Sequence, residues 1–145
     1  MIEAILERCC AYPQFTFMFQ SKHPVRYIRH NFKWPEKSIL GTTIETDKWY
    51  PDIMGNAPKM ELRSIALGMV HHQKFVTIEP ILKFNLQAMA ILLELADPDF
   101  VNIGAATKVS GLPEPTCREV LDLITVIENM GVPIRLKPNL ERLMR

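Results

Sequence analysis

The sequence predicts an α/β protein that forms a partial (βα) barrel, with about five parallel strands and with helices on the outer face of the sheet. One observation and one general rule lead to this fold class. Short β-rich runs alternate with longer segments of helical period along the 145 residues, and strands separated by helices pair in parallel through right-handed crossovers. Five such strands are too few to close a barrel, so the predicted architecture is similar to half of a TIM barrel.

The first helix is predicted from the spacing of its apolar residues. Residues 2–11 place Ile2, Ile5, Leu6, Cys9 and Cys10 on one helical face. Further helices are predicted over about 24–33, 60–72, 86–96 and 116–130, with a short final helix over 140–145.

Capping residues mark the ends of several of these helices. Pro24 is tolerated in a first turn, and Asn85 can cap the helix that begins after it. Thr116 and Glu119 have the spacing of a capping box. Gly131 can end the helix that they begin.

The strands are predicted from runs that are rich in β-branched and aromatic residues. They lie at 15–22, 38–45, 74–79, 100–104 and 134–137. No strand precedes the first helix, so residues 1–145 are interpreted as a single partial-barrel domain with an open edge. Either this domain is the C-terminal portion of a larger barrel, or another chain completes it.

The alternation of side chains along each strand predicts one apolar and one polar face of the sheet. Ile44, Ile78, Ile103, Ile134 and Leu136 are expected to face the helices. The opposite, concave face receives Gln20, Lys22, Thr43, Glu45, Thr77, Glu79, Asn102, Gly104, Arg135 and Lys137. A face this polar must be solvated or hold a polar ligand, because burial of unpaired charges is costly.

A site is therefore expected at the carboxyl ends of the strands, where the long links 46–59 and 105–115 begin. The concave face would bind a small zwitterionic or nucleoside-like ligand there. Glu45 and Glu79 are the predicted catalytic residues, as an acid–base pair at neighbouring strand ends. The alternative is that these two carboxylates only form ion pairs with Lys22, Arg135 or Lys137.

Composition excludes several classes of function. Seventeen Lys and Arg residues against 16 Asp and Glu residues give a net charge of +1, which argues against a dedicated nucleic-acid binder. No apolar run approaches the roughly 18 residues that a membrane span requires, and the first residues do not resemble a secretory signal. The three cysteines cannot form a disulfide framework, so a reduced, cytoplasmic protein is expected.

Five segments together resemble the C-terminal part of radical S-adenosylmethionine (radical SAM) proteins. They are Ile39-Leu40-Gly41-Thr42-Thr43-Ile44-Glu45-Thr46, Val76-Thr77-Ile78-Glu79-Pro80, Val101-Asn102-Ile103-Gly104-Ala105, Leu112-Pro113-Glu114-Pro115 and Arg135-Leu136-Lys137-Pro138-Asn139-Leu140. The resemblance is to a phage- and prophage-associated, largely uncharacterised branch of that family. The run Phe19-Gln20-Ser21-Lys22-His23-Pro24 fits the same branch.

The resemblance implies a barrel that holds S-adenosylmethionine at the carboxyl ends of its strands, beside a [4Fe–4S] cluster. It implies cofactor-binding roles for Thr43, Asn102, Gly104, Gln20, Lys22 and Lys137, together with the two glutamates. The chain has no C-x3-C-x2-C motif, so no iron–sulfur cluster is expected to be ligated by it, and no metal ligand is predicted. The isolated chain is therefore not expected to be a complete radical SAM enzyme.

A second hypothesis assigns this sequence a function of a different class. The chain would be a stand-alone phage or viral binding module. Its open barrel edge would be buried by homodimerisation or against a host protein.

Overall fold

The computed structural model describes residues 1–107 and 111–145 and contains one five-stranded sheet. All neighbouring strands pair in parallel, in the order β1-β2-β3-β4-β5. The strands are β1 Phe17–Gln20, β2 Ser38–Thr43, β3 Gln73–Ile78, β4 Phe100–Ile103 and β5 Ile134–Leu136. The predicted α/β class is confirmed. Among the described residues β1 and β5 do not pair with each other, so the sheet is open, as in a partial barrel.

Six α-helices and one 3₁₀ helix accompany the sheet in the described part of the chain. They are α1 Ile2–Cys10, α2 Val25–Arg29, α3 Pro51–Met54, α4 Met60–Gly68, α5 Leu86–Ala96, α6 Cys117–Asn129 and the 3₁₀ helix Pro138–Leu143. Helix α4 contacts α2 and α5, and α5 contacts α6, so these helices form a continuous layer. Within the described residues no helix combines the length and the apolar character that crossing a bilayer requires.

The caps predicted at Asn85, Thr116 and Gly131 are confirmed, whereas Pro24 precedes α2 as its N-cap residue and does not lie in its first turn. Asn85 Oδ1 accepts a hydrogen bond of 3.0 Å from the backbone N–H of Ala88. Thr116 and Glu119 form a reciprocal capping box at the start of α6. Gly131 follows the end of that helix with φ +74°, a left-handed conformation that glycine adopts without a steric penalty. These ends were predictable because each cap and its partner lie within a few residues.

The apolar side of the strands forms the core with the helix layer. Ile44, Ile78 and Ile103 have no exposed surface, and they pack in one cluster with α4 and α5 residues such as Leu67 and Leu93. The predicted alternation is therefore confirmed for the three inner strands. Truncation of a fully buried side chain of this kind costs about 2–5 kcal/mol.

The prediction that Leu136 packs against the helices is wrong. The side chain lies on an edge strand and is 53% exposed, whereas its neighbour Ile134 is partly buried. The reason for this exposure is the position of β5 at the edge of the sheet. Strand β5 has a strand neighbour on one side only, and the described chain provides nothing beyond its outer edge to cover Leu136.

Several predicted elements are shorter in the structure than their patterns indicated. The helix predicted over 60–72 ends at Gly68, and the strand predicted over 15–22 extends only over Phe17–Gln20. The link 46–59 contains the short helix α3, which was not predicted. The predicted final helix is a 3₁₀ helix that begins at Pro138. In the link 105–115, positions 108–110 lie outside the described residues.

Candidate functional site

A row of polar side chains crosses the concave face near the carboxyl ends of the strands. Thr43, Thr77, Asn102 and Arg135 are register partners on β2 to β5. The Thr77 hydroxyl donates to Gln20 Oε1 at 3.1 Å, and Asn102 Nδ2 donates to Thr77 Oγ1 at 3.3 Å. Thr43 and Thr77 are buried, whereas Gln20 is exposed and Asn102 is half-buried. We call the hydrogen-bonded set Gln20–Thr77–Asn102 the polar row.

An aromatic row lies two residues earlier on the same face. The Phe75 and Phe100 rings stack with centroids 5.3 Å apart and planes 4° apart, and the Arg135 guanidinium carbon lies 3.9 Å from the Phe100 centroid. A Cβ at Gly41 would come within 2.4 Å of the Phe75 ring, so only glycine permits this stack. Arg135 therefore makes a cation–π contact here.

Glu45 lies beyond the polar row, at the end of β2, and forms ion pairs with two cations. Its Oε1 lies 2.5 Å from Lys22 Nζ, and its Oε2 accepts from Arg63 Nη1 at 3.0 Å. Burial raises the pKa of the Glu45 carboxyl, but the Lys22 ammonium and, more weakly, Arg63 outweigh it and hold the pKa below its ordinary value. The Lys22 side chain is 50% exposed and can also meet a ligand.

Arg63 is a site residue that sequence reasoning missed. It comes from α4 and is completely buried. Its Nε donates to the Pro58 carbonyl at 2.6 Å and its Nη1 to the Thr43 carbonyl at 3.1 Å. A signal was present in the sequence, because Arg63 lies three residues after Met60 and four before Leu67, on the buried face of the helix.

Glu79 occupies the corresponding position at the end of β3. One carboxylate oxygen contacts the Lys137 ammonium, and the other accepts from Asn139 Nδ2 at 2.7 Å. Asn139 also donates to the Ala105 carbonyl at 2.7 Å, which fixes its amide. Burial raises the pKa of the Glu79 carboxyl, but Lys137 and Asn139 outweigh it, so the net shift of the pKa is downward.

Gly104 provides the space that this second cluster occupies. A Cβ on Gly104 would lie 2.8 Å from Glu79 Oε1 and 2.9 Å from Asn139 Oδ1. Both distances are shorter than real Cβ contacts, so glycine at this position permits the pair to lie against β4. The chain's own polar groups therefore occupy the side of Gly104 on which the resemblance implies a cofactor.

The structure brings the predicted site residues together as two ion-paired corners, Lys22–Glu45 and Lys137–Glu79, which lie beyond the polar row toward the carboxyl ends of the strands. Lys22 pairs with Glu45 and Lys137 pairs with Glu79, whereas Arg135 stacks on an aromatic ring. Both glutamates have pKa values below the ordinary value and are ionised at neutral pH. Their acid–base role stays a prediction.

The concave face carries polar side chains, whereas the three cysteines lie on helices. Cys9, Cys10 and Cys117 are free, half-buried thiols at the ends of two different helices. No group of three or more His, Cys, Asp or Glu residues in the described part of the chain is arranged to hold a metal ion. The ammonium, carboxylate and amide groups of the concave face match the charged and hydrogen-bonding groups of a zwitterionic nucleoside.

The fold and the site define an open half-barrel with a polar face at its carboxyl strand ends. Comparison with protein-family models, with curated proteins and with solved structures finds no match for this chain.

Proposed function

We propose that this protein is a radical-SAM-like half-barrel whose polar strand ends bind a small zwitterionic ligand, with S-adenosylmethionine as the first candidate. The observation that carries the proposal is that two half-exposed ammonium groups, Lys22 and Lys137, follow the carboxyl ends of the two edge strands β1 and β5. Each ammonium is anchored by a more buried carboxylate. The site is therefore already assembled before a ligand binds, which reduces the entropic cost of binding.

The polar row supplies the neutral hydrogen-bonding groups of the proposed site. Gln20 Nε2 and Asn102 Oδ1 have no hydrogen-bond partner among the side chains of the described residues. They can donate to and accept from ribose hydroxyls or a base edge, while Lys22 or Lys137 meets a carboxylate. When bound, S-adenosylmethionine would supply a sulfonium whose carbon–sulfur bonds are the reactive ones.

The proposal concerns ligand binding, since this chain has no three-cysteine motif for a cluster. Cleavage of the bound cofactor would need cluster ligands from elsewhere. A cytoplasmic location and a phage or prophage origin belong to the same proposal. The first rests on the unpaired cysteines and the second on the family resemblance.

Calorimetric titration with S-adenosylmethionine, S-adenosylhomocysteine and adenosine tests the proposal. Asn102→Ala and Lys137→Met should each weaken binding about tenfold, which corresponds to about 1.4 kcal/mol. Arg118→Ala, on the outer face of α6 where the side chain is largely exposed, is the matched control and should bind as the unmodified chain does. Absence of heat with all three ligands, or equal losses in the control, would contradict the proposal.

A second candidate function is a binding module that uses the open edge of the sheet. The observation that favours it is that both edge strands carry half-exposed large apolar side chains, Met18 on β1 and Leu136 on β5. Exposed edges of this kind recruit partners. A molar mass equal to that of one chain at all concentrations, with no partner recovered from host extract, would exclude this function.

A further inference from the structure

We propose that two copies of this chain join through both open edges, so that β1 of each copy pairs in parallel with β5 of the other. The two half-barrels would then enclose one interior. The inference rests on the proposed ligand site and deepens it, because it names the partner that completes that site.

Within residues 1–107 and 111–145, the outer edge of β1 has backbone groups with no strand partner. Phe17 N donates to the Lys37 carbonyl at 2.9 Å and Ser21 N donates to the Gly41 carbonyl at 3.0 Å. Alternate residues of a parallel strand face opposite neighbours, so the N–H and C=O groups of Met18 and Gln20 point away from β2. Such a row is a template for a further strand.

The outer edge of β5 likewise has no strand partner in the part of the chain that the structure describes. Val101 N donates to the Pro133 carbonyl and Lys137 N to the Ile103 carbonyl, both at 2.9 Å. The backbone groups of Ile134 and Leu136 therefore point away from β4. Because β1 and β5 run in the same direction at opposite ends of one sheet, a two-fold axis along the barrel lets two copies satisfy both edges at once.

An apolar groove lies beside the β1 edge, under the first helix. Helix α1, β1 and α2 line a cavity of about 350 Å³. Ile2 and Ile5 of α1 contribute to it and are 42% and 53% exposed. Helix α1 leads into β1, and among the described residues Ile2 and Ile5 are not part of the core cluster.

Strand β5 and helix α6 of a second copy carry exposed apolar side chains that can fill this groove. Leu136 alternates onto the helix side of the sheet and is 53% exposed. Leu121 on the neighbouring helix α6 is also exposed. Pairing of β1 with the partner subunit's β5 would bring these two leucines to the β1 edge, beside the groove that Ile2 and Ile5 line.

Charge favours the same arrangement. The N-terminal end of α1 lies near the carboxyl end of β1, since Ile2 lines the same cavity as Gln20 and Ser21. Glu3 is exposed there, and Arg145, which follows the carboxyl end of β5, is also exposed. The pairing brings these opposite charges to the same end of the barrel. A net charge of +1 per chain leaves little repulsion between copies.

The closed assembly would have ten strands, twice the five of one copy. Eight-stranded barrels are filled by side chains, and wider barrels leave an internal space. A lumen of this width suits the polar rows of two copies. A stable interface of standard size buries about 1,600 Å² in total, so each of the two identical joints would need to supply about 800 Å².

Molar mass by light scattering, measured from about 1 to 100 µM, tests the pairing. The expected result is twice 16.7 kDa. Ile5→Lys and Leu136→Glu should each raise the dimer dissociation constant at least about tenfold. The double variant places lysine opposite glutamate in both joints and should recover most of the affinity. Ile91→Lys, an exposed apolar position on α5 away from both edges, should dimerise normally.

A single-chain mass at every concentration, or equal weakening by Ile91→Lys, would overturn the inference. Failure of the double variant to recover affinity would overturn the specific pairing. The ligand titration is read separately, so the two proposals can fail independently. A monomer that binds S-adenosylmethionine retains only the proposed function, and a dimer that binds none of the three ligands retains only the pairing.

Discussion

The carboxylate of Glu45 lies 3.0 Å from the guanidinium of Arg63, and both side chains are buried at the carboxyl end of β2. The second cation, Lys22, reaches the same carboxylate from the solvent side. Arg63 therefore orients Glu45 from within the protein, while Lys22 is the partner that a ligand could engage.

Replacement of Arg63 by methionine should destabilise the fold by about 3–5 kcal/mol, because it leaves a buried carboxylate with one cation fewer. The free energy of unfolding from urea titration measures this. The double variant Arg63→Met/Glu45→Gln should be more stable than the single variant, since it removes the uncompensated charge. Arg118→Ala removes an exposed ion pair with Asp122 and should cost at most about 1 kcal/mol. A single variant no less stable than this control would contradict the buried pair.

Gly104→Ala should destabilise the protein by about 1–3 kcal/mol, since the added methyl group meets Glu79 and Asn139 at 2.8–2.9 Å. The same substitution should cost less in an Asn139→Ala background, where one of the two obstructing atoms is absent. Urea titration of the four proteins of this cycle gives the coupling energy. Costs that are equal in both backgrounds would show that Asn139 does not limit the space at Gly104.

The stability of the fold should decrease as the pH falls below about 4.5. The folded-state pKa values of Glu45 and Glu79 lie below the ordinary value of 4.5, and that of Glu119 is about 2. The unfolded chain therefore binds protons first, and the stabilisation present above the unfolded pKa is lost as the pH falls through the folded pKa values.

Urea midpoints between neutral pH and pH 3 test this dependence. Glu79→Gln should flatten the curve of urea midpoint against pH, because the glutamine side chain does not titrate. Thr125→Ala, at an exposed hydroxyl on α6, removes no titratable group and is the control, so the shape of its curve should not change. A Glu79→Gln curve parallel to that of the unmodified protein would refute a lowered pKa at Glu79.

Thr116→Ala should cost about 1 kcal/mol by removing the side-chain half of the capping box. The affected donor is the backbone N–H of Glu119, which is bonded to Thr116 Oγ1 at 3.3 Å. Thr125→Ala is a matched control in the same helix, where the hydroxyl bonds to a carbonyl that is already within the helix. Thermal unfolding should place the cap variant clearly below the control, and equal midpoints would argue against the cap.

Local patterns predicted most of the fold of this protein. The apolar alternation of the inner strands and the caps at Asn85 and Thr116 were readable because their partners are near in sequence or follow a fixed period. The ends of α4 and the presence of α3 could not be predicted in this way. The packing of the link 46–59 on the core decides where those elements begin and end.

The candidate site, like the fold, could be predicted from the sequence only in part. Strand parity placed Glu45, Glu79, Lys22 and Lys137 on one concave face, and the register brings them together there. The two groups that complete the ion-paired corners, Arg63 and Asn139, lie 18 and 60 residues from the carboxylates that they bind. No local period connects residues at such separations.

The sequence by itself thus determined the α/β class, the parallel pairing of the strands and the polar character of one face. These follow from side-chain alternation and from the handedness of crossovers, which hold for any chain with this pattern. Only the tertiary structure decided which cation meets which carboxylate, that Arg135 stacks on Phe100, and that Leu136 is exposed at an open edge. Those outcomes depend on which side chains lie close together in space, and packing across the whole sheet fixes these contacts.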